Sequence, residues 1–117
     1  MQRKIDLSVY FITDPVLCAR RGIVETAMGA VAGGATVVQL RDPHGKGRAM
    51  LDTARALIAA LRPRGIPVII NDRIDIALAA SADGAHIGQL DMPFPDARAL
   101  LGPNAILGLS TTNAAQA

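Results

Sequence analysis

The sequence predicts an α/β fold built on a parallel sheet, and three observations predict it. Short apolar runs alternate strictly with helical stretches, most of those runs are almost continuously apolar, and polar residues collect where the runs end. Continuous apolar strands are buried on both faces, as happens when crossover helices cover a parallel sheet. The five runs are Val9–Thr13, Thr36–Arg41, Pro67–Asn71, Gly84–Gly88 and Ala105–Ser110.

The intervening stretches read as helices in turn. Val16–Ala32 is rich in alanine and stops at Gly33-Gly34, a usual C-terminal stop. Lys46–Leu61 places Met50, Leu51, Ala54, Leu57 and Ile58 on one side, a helical period. Ile74–Ala80 is shorter. Pro95–Leu101 opens with Pro-Asp, a good first turn. Thr112–Ala117 reads as the first turn of one more helix. The 117 residues carry no linker, repeat or low-complexity stretch, so residues 1–117 are expected to form a single domain. Two architectures fit this order. A five-stranded doubly wound domain would be complete at this length. An eight-unit barrel at about 24 residues per unit would need roughly 190 residues, near the lower end for that fold.

Composition narrows the function classes. Half of the residues are hydrophobic and 19% are charged, which argues against disorder. Twelve basic residues against ten acidic ones leave a net charge of only +2, too even to suggest nucleic acid as a partner. The three aromatics, Tyr10, Phe11 and Phe94, are too few for a base-stacking platform. The single cysteine, Cys18, can form neither an internal disulfide nor a thiolate cluster, and reads as a packed thiol of a cytoplasmic protein. No run approaches the roughly 20 apolar residues of a membrane helix, and no signal-peptide pattern is present.

The polar residues at the strand ends carry the functional reading. Strand two ends in Gln39 and Arg41, two apart and so on one face. Strand three ends in Asn71-Asp72, strand four is followed by Gly88-Gln89-Leu90-Asp91, and strand five ends in Ser110-Thr111-Thr112-Asn113. Ligands bind at this edge in parallel α/β folds. Asp72 and Asp91 are the acids placed directly after strands three and four, and two carboxylates suit Mg²⁺, which fills its shell with water and substrate phosphates. Arg41 offers a bidentate fork for phosphate oxygens, and Ser110 with the amides of the next helix start offers donors to an anion. Together these read as a Mg²⁺-pyrophosphate site. Structural readings stand beside it. Asp72 fits an N-cap for Ile74–Ala80, Ser110 or Thr112 fits a cap as well, and Arg41 could pair with Asp42 or Asp91. His86, in mid-strand, reads as a core histidine. His44 and Lys46, in the loop Arg41–Gly47, read as solvated, although Lys46 could touch phosphate.

The runs VVQLRD, IINDRIDIALAASADGAHIGQLDMP and LGLSTTN closely resemble the thiamine-phosphate synthase family, and the likeness runs from YFITDP at residues 10–15 to STTN at 110–113. The resemblance implies a (β/α)8 TIM-barrel-type fold, of which this chain would hold about five units. The implied reaction joins hydroxymethylpyrimidine pyrophosphate to a thiazole phosphate, with Mg²⁺, through loss of pyrophosphate and capture of a pyrimidine carbocation by the thiazole nitrogen. Carried over, Gln39, Arg41 and Asn71 would bind the pyrimidine pyrophosphate, Asp72 and Asp91 would hold Mg²⁺, Ser110 would contact the pyrimidine pyrophosphate near the reacting centre, and Arg41 would neutralise charge on the leaving pyrophosphate. Where the family motif has lysine after Arg-acid, this chain has Pro43, and Lys46 is the candidate replacement. Where the family often has histidine, it has Thr112. The thiazole-phosphate contacts belong to strands six to eight, so the chain reads as a fragment or a truncated product. The expected partners are these small molecules, with neither nucleic acid nor membrane, and with homo-oligomer assembly left open. Three alternatives stand beside this reading. A thiazole tautomerase would share the barrel without needing a pyrophosphate site. A receiver-type signalling domain would use Asp72 as phospho-acceptor but lacks the acidic pair after strand one and the lysine after strand five. An inactive remnant would bind without turnover.

Overall fold

The computed structural model describes residues 7–15, 22–43, 45–88 and 93–109. Its elements run β1 (Tyr10–Ile12), α1 (Ile23–Ala32), β2 (Val37–Leu40), α2 (Gly47–Leu61), β3 (Val68–Asn71), α3 (Ile74–Ala80), β4 (Gly84–Ile87), α4 (Phe94–Leu101) and β5 (Ile106–Leu109), with a single 3-10 turn at Arg62–Arg64 after α2. All five expected strands and the four helices expected between them are present. Most boundaries agree to within one residue, and one differs by more. Gly22 has φ +86°, outside the helical region, so α1 starts at Ile23, inside the expected stretch Val16–Ala32, and ends at Ala32 as expected. Residues 16–21, Cys18 and the expected turn at 112–117 lie outside the described residues.

The strands pair in parallel and in chain order, β1-β2-β3-β4-β5. This order separates the two architectures left open by the sequence. A doubly wound flavodoxin-like sheet, the order of a receiver domain, reverses at its middle to run 2-1-3-4-5. Here each crossover moves one strand further in the same direction, so all the helices fall on one face and the sheet is of TIM-barrel type.

The two faces of the sheet are chemically distinct because side chains alternate along each strand. Val38, Leu40, Val68, Ile70, Ala85 and Ile87 point to the helices. There they meet Ala27 of α1, Met50, Ala54, Leu57, Ile58 and Leu61 of α2, Ile74, Ile76 and Ala77 of α3 and Ala97 of α4 in one apolar core. The α2 set repeats at the helical period that the sequence displays. The alternate residues, among them Tyr10, Ile12, Gln39, Ile69, Asn71 and His86, form the opposite, concave face. No helix among the described residues is long and apolar enough to cross a membrane.

Asp83 ties the other edge of the sheet together. Its Oδ2 accepts a hydrogen bond from the Val68 amide at 2.8 Å, its own amide donates to the Val68 carbonyl at 3.0 Å, and its carbonyl accepts from the Ile106 amide at 2.9 Å, so one residue links β3, β4 and β5. The carboxylate is 9% exposed, whereas its ion-pair partner Arg62, 3.7 Å away, is 52% exposed. Asp83→Ala orphans a buried amide and is expected to cost about 1–3 kcal/mol. Arg62→Ala, which removes a long pair from a half-exposed guanidinium and its exposed hydrogen bond to the Ser81 carbonyl at 2.7 Å, is expected to cost about 1 kcal/mol or less. Urea unfolding midpoints of the two variants check this ordering.

Candidate active-site cleft at the strand ends

The concave face holds a cleft of about 420 Å³ lined by Tyr10, Ile12, Gln39, Arg41, Ile69, Asn71, His86, Ile106 and Gly108, among others. Its wall is mostly aliphatic, with a few polar groups converging from β1 to β4, the usual make-up of a small-molecule site. The sequence expectation that Gln39 and Arg41 share a face holds, since both line it.

A chain of side-chain hydrogen bonds crosses three strands within the cleft. Asn71 Nδ2 donates to Gln39 Oε1 at 3.1 Å, and Gln39 Nε2 donates to the Tyr10 hydroxyl at 2.9 Å. The strand register makes this reach possible, because Ile12 pairs with Gln39 and Gln39 with Ile69, which puts Tyr10 and Asn71 within one side chain of the central amide. Gln39 is buried to 3% exposure, and both ends of its amide are occupied, so its orientation is locked. Tyr10 spends its oxygen as an acceptor and keeps its own proton for another partner. Burial pushes the phenol above its ordinary value, against the Gln39 hydrogen bond that lowers it, so it remains a neutral donor.

Arg41 follows β2 directly. Its backbone is pinned by the buried Thr13, whose Oγ1 accepts from the Arg41 amide at 3.0 Å while the Thr13 amide donates to the Gln39 carbonyl at 2.9 Å. Its guanidinium is exposed at the rim of the cleft and makes no hydrogen bond or ion pair among the described residues. The structural alternative of a pair with Asp42 is therefore not realised. The Asp42 carboxylate folds over Gly45, where a β-carbon would come within 2.6 Å of Oδ2.

Asp72 sits just past β3 with φ +66°, in the left-handed region that costs an ordinary L-residue about 1–2 kcal/mol and that Asp and Asn tolerate best. Its amide donates to the His86 carbonyl at 2.8 Å and the next amide, of Arg73, donates to the Asn71 carbonyl at 2.8 Å, so the chain turns sharply and leaves Asp72 exposed at the strand edge. It is not the cap of α3, as the structural alternative would have it. Arg73 occupies that position, its side chain doubly bonded to Asp75 at 3.0 and 2.8 Å. That hydrogen bonding holds the Asp75 carboxyl below the usual range and the Arg73 guanidinium above its own. Lys46 is the N-cap residue of α2 and exposed. Neither Lys46 nor Asp72 lines the cleft itself. Asp91, Ser110 and His44 lie outside the described residues, and among the described ones no three His, Cys, Asp or Glu side chains gather as a metal cluster. One exposed carboxylate at the strand ends still fits Mg²⁺ by its chemistry, since the ion needs only one or two carboxylates and takes its remaining oxygens from water and phosphate.

Two cleft-lining positions are not marked by the sequence analysis. His86 is half-buried on the cleft face and not in the core against the helices. Its parity with Gly84 along β4, opposite to that of Ala85 and Ile87, was the available signal. Tyr10 was counted only as an aromatic. Its place two residues before Ile12, on the cleft side of β1, could have marked it.

Comparison with known proteins agrees with this geometry. A family model described as thiamine monophosphate synthase matches residues 9–117. The chain is 59% identical over 116 residues to a thiamine-phosphate synthase of Xanthobacter autotrophicus, covering 99% of this chain and 55% of that protein. It is 46% identical over 114 residues to a chloroplastic thiamine biosynthetic bifunctional enzyme of Arabidopsis thaliana, covering 22% of it. Its structure resembles that of a thiamine phosphate pyrophosphorylase from Pyrococcus furiosus with a TM-score of 0.85 at 34% identity, over 94% of this chain and 52% of the other. The chain thus spans about half the length of the single-function synthases it matches.

Proposed function

The chain belongs to the thiamine monophosphate synthase family, and we propose that its cleft is the pyrimidine-pyrophosphate half of a site that transfers a hydroxymethylpyrimidine group from its pyrophosphate ester to a thiazole phosphate. The observation that carries this reading is the joining of two unlike surfaces at one edge. An aliphatic slot with a locked amide chain meets a guanidinium that has no protein partner among the described residues. The slot suits a flat heteroaromatic ring whose edge can be read by the Asn71 amide and the Tyr10 hydroxyl. Arg41 suits the pyrophosphate. In the proposed reaction the carbon–oxygen bond to pyrophosphate breaks, the electron pair leaves with pyrophosphate, and the thiazole nitrogen lone pair captures the pyrimidine carbocation. No side-chain nucleophile is required. Arg41 meets the charge growing on the departing group with a preorganised fork, electrostatic stabilisation of the transition state. Asp72 and Asp91 would hold Mg²⁺, which when bound supplies further neutralisation of the pyrophosphate. Ser110 and Lys46 are proposed as additional contacts to the same ester. A tautomerase has no use for an exposed guanidinium at this place. Small-molecule substrates and a cytoplasmic setting accompany the reading.

Thermal melting tests it on this chain. Magnesium pyrophosphate together is expected to raise Tm, since a ligand bound at 100 times its Kd adds about 2.7 kcal/mol. Pyrophosphate with EDTA is expected to shift Tm less, and Asp72→Asn should erase the difference. No shift with either would count against a pyrophosphate site. A shift without turnover in the presence of the thiazole phosphate would mark a binding remnant.

A further inference from the structure

On the concave face, Gly108 is the glycine whose missing side chain makes room for another side chain. It pairs in register with His86 of β4, and His86 pairs with Asn71 of β3, so the three form one row near the C-terminal strand ends. A β-carbon built on Gly108 would lie 2.5 Å from His86 Nδ1, 3.3 Å from Cε1 and 3.4 Å from Cγ. Contacts under 3.0 Å are essentially never made by real β-carbons. The imidazole therefore rests over bare β5 backbone, in the volume any side chain at 108 would claim. Ring atoms next to the main chain are involved, so a small swing of a flexible tip cannot relieve the overlap. The ring would have to turn about its first torsions, off its present pose.

We propose that Gly108 is a positioning residue that sets substrate specificity: by contributing no side chain, it lets the His86 imidazole lie against β5 and so fixes the width of the slot that takes the flat heteroaromatic ring. This rests on the pyrimidine reading of the cleft. Both residues line that cleft together with Asn71 and Ile106, so displacing the ring changes the wall the substrate meets and leaves the apolar core on the far side of the sheet untouched. The same displacement would leave Arg41 alone, because Arg41 lies on β2's extension, two strands away.

The experiment compares Gly108→Ala, His86→Ala and the double variant of this chain. Imidazole NMR signals of His86, assigned by their loss in His86→Ala, report the pose of the ring. Calorimetric titration with hydroxymethylpyrimidine, the free alcohol, reports the slot. Gly108→Ala is expected to shift the His86 signals and to weaken pyrimidine binding by at least about tenfold, as angstrom-scale misplacement does. In the His86→Ala background the same change is expected to cost less than about twofold, because the ring it displaces is gone. Unmoved His86 signals, or equal losses in the two backgrounds, would overturn the proposal. Should Gly108→Ala fail to fold, the double variant is expected to fold, and its failure would also overturn it. If the parent chain binds no pyrimidine, the reading of the cleft fails, and the His86 signals decide the pose of the ring on their own.

Discussion

Arg41→Ala is expected to lower the affinity of this chain for magnesium pyrophosphate by about 10- to 100-fold, the worth of a charge-assisted bidentate contact. Where turnover of the pyrimidine ester is measurable, the loss is expected to reach about 10²–10³-fold, because the guanidinium acts most strongly on charge that develops as the ester bond breaks. Stability should change by no more than about 0.5 kcal/mol. The side chain has no protein partner among the described residues, and the bond from the Arg41 amide to Thr13 Oγ1 belongs to the backbone, so alanine keeps it. Arg41→Lys tests the geometry as well as the charge. A single ammonium cannot reproduce the planar fork, so lysine should recover only part of the loss. Titration calorimetry and rapid-quench release of pyrophosphate measure both effects. Full recovery by lysine would mean that only net charge matters, and an unchanged affinity in Arg41→Ala would remove Arg41 from the site.

The strand-end chemistry was legible because it depends on sequence position. In a parallel sheet each strand's last residues reach the same edge, so Gln39, Arg41, Asn71 and Asp72 could be assigned to it before any coordinates, and three of the five polar side chains that line the cleft from β1 to β4, Gln39, Arg41 and Asn71, were named from the sequence. Which face a residue takes within a strand was harder to read. In a run such as Gly84–Gly88 both faces are lined by small or apolar residues, so alternation gives no contrast and His86 passed for a core residue. Sequential strand order was invisible for a related reason, since a singly wound sheet and a doubly wound one share the same β-α alternation. The use of Gly108 was hidden entirely. It follows from how two strands stack in register, a long-range fact with no local signature.

The left-handed conformation of Asp72 leads to a substitution that separates function from stability. A residue placed for packing or capping loses stability when it is replaced. Asp72 is exposed, is not the cap of α3, and holds φ +66° at some conformational cost. Glycine adopts that φ freely, which would relieve part of about 1–2 kcal/mol, and gives back roughly 0.5–1 kcal/mol in backbone entropy of the unfolded chain. The two backbone terms nearly cancel, which leaves the interactions of the exposed carboxylate itself, worth about 1 kcal/mol or less at an exposed position. Asp72→Gly is therefore expected to melt within about 1 kcal/mol of the parent, while the magnesium-dependent part of pyrophosphate binding disappears. Asp72→Asn tolerates the same φ, keeps a polar side chain and removes the charge, so it should lose the magnesium effect equally. If the two variants agree in function although one has no side chain at all, the carboxylate charge is what the turn after β3 exists to present. A glycine variant that loses 2 kcal/mol or more yet binds magnesium pyrophosphate as the parent does would make Asp72 a structural residue and leave the metal to other groups.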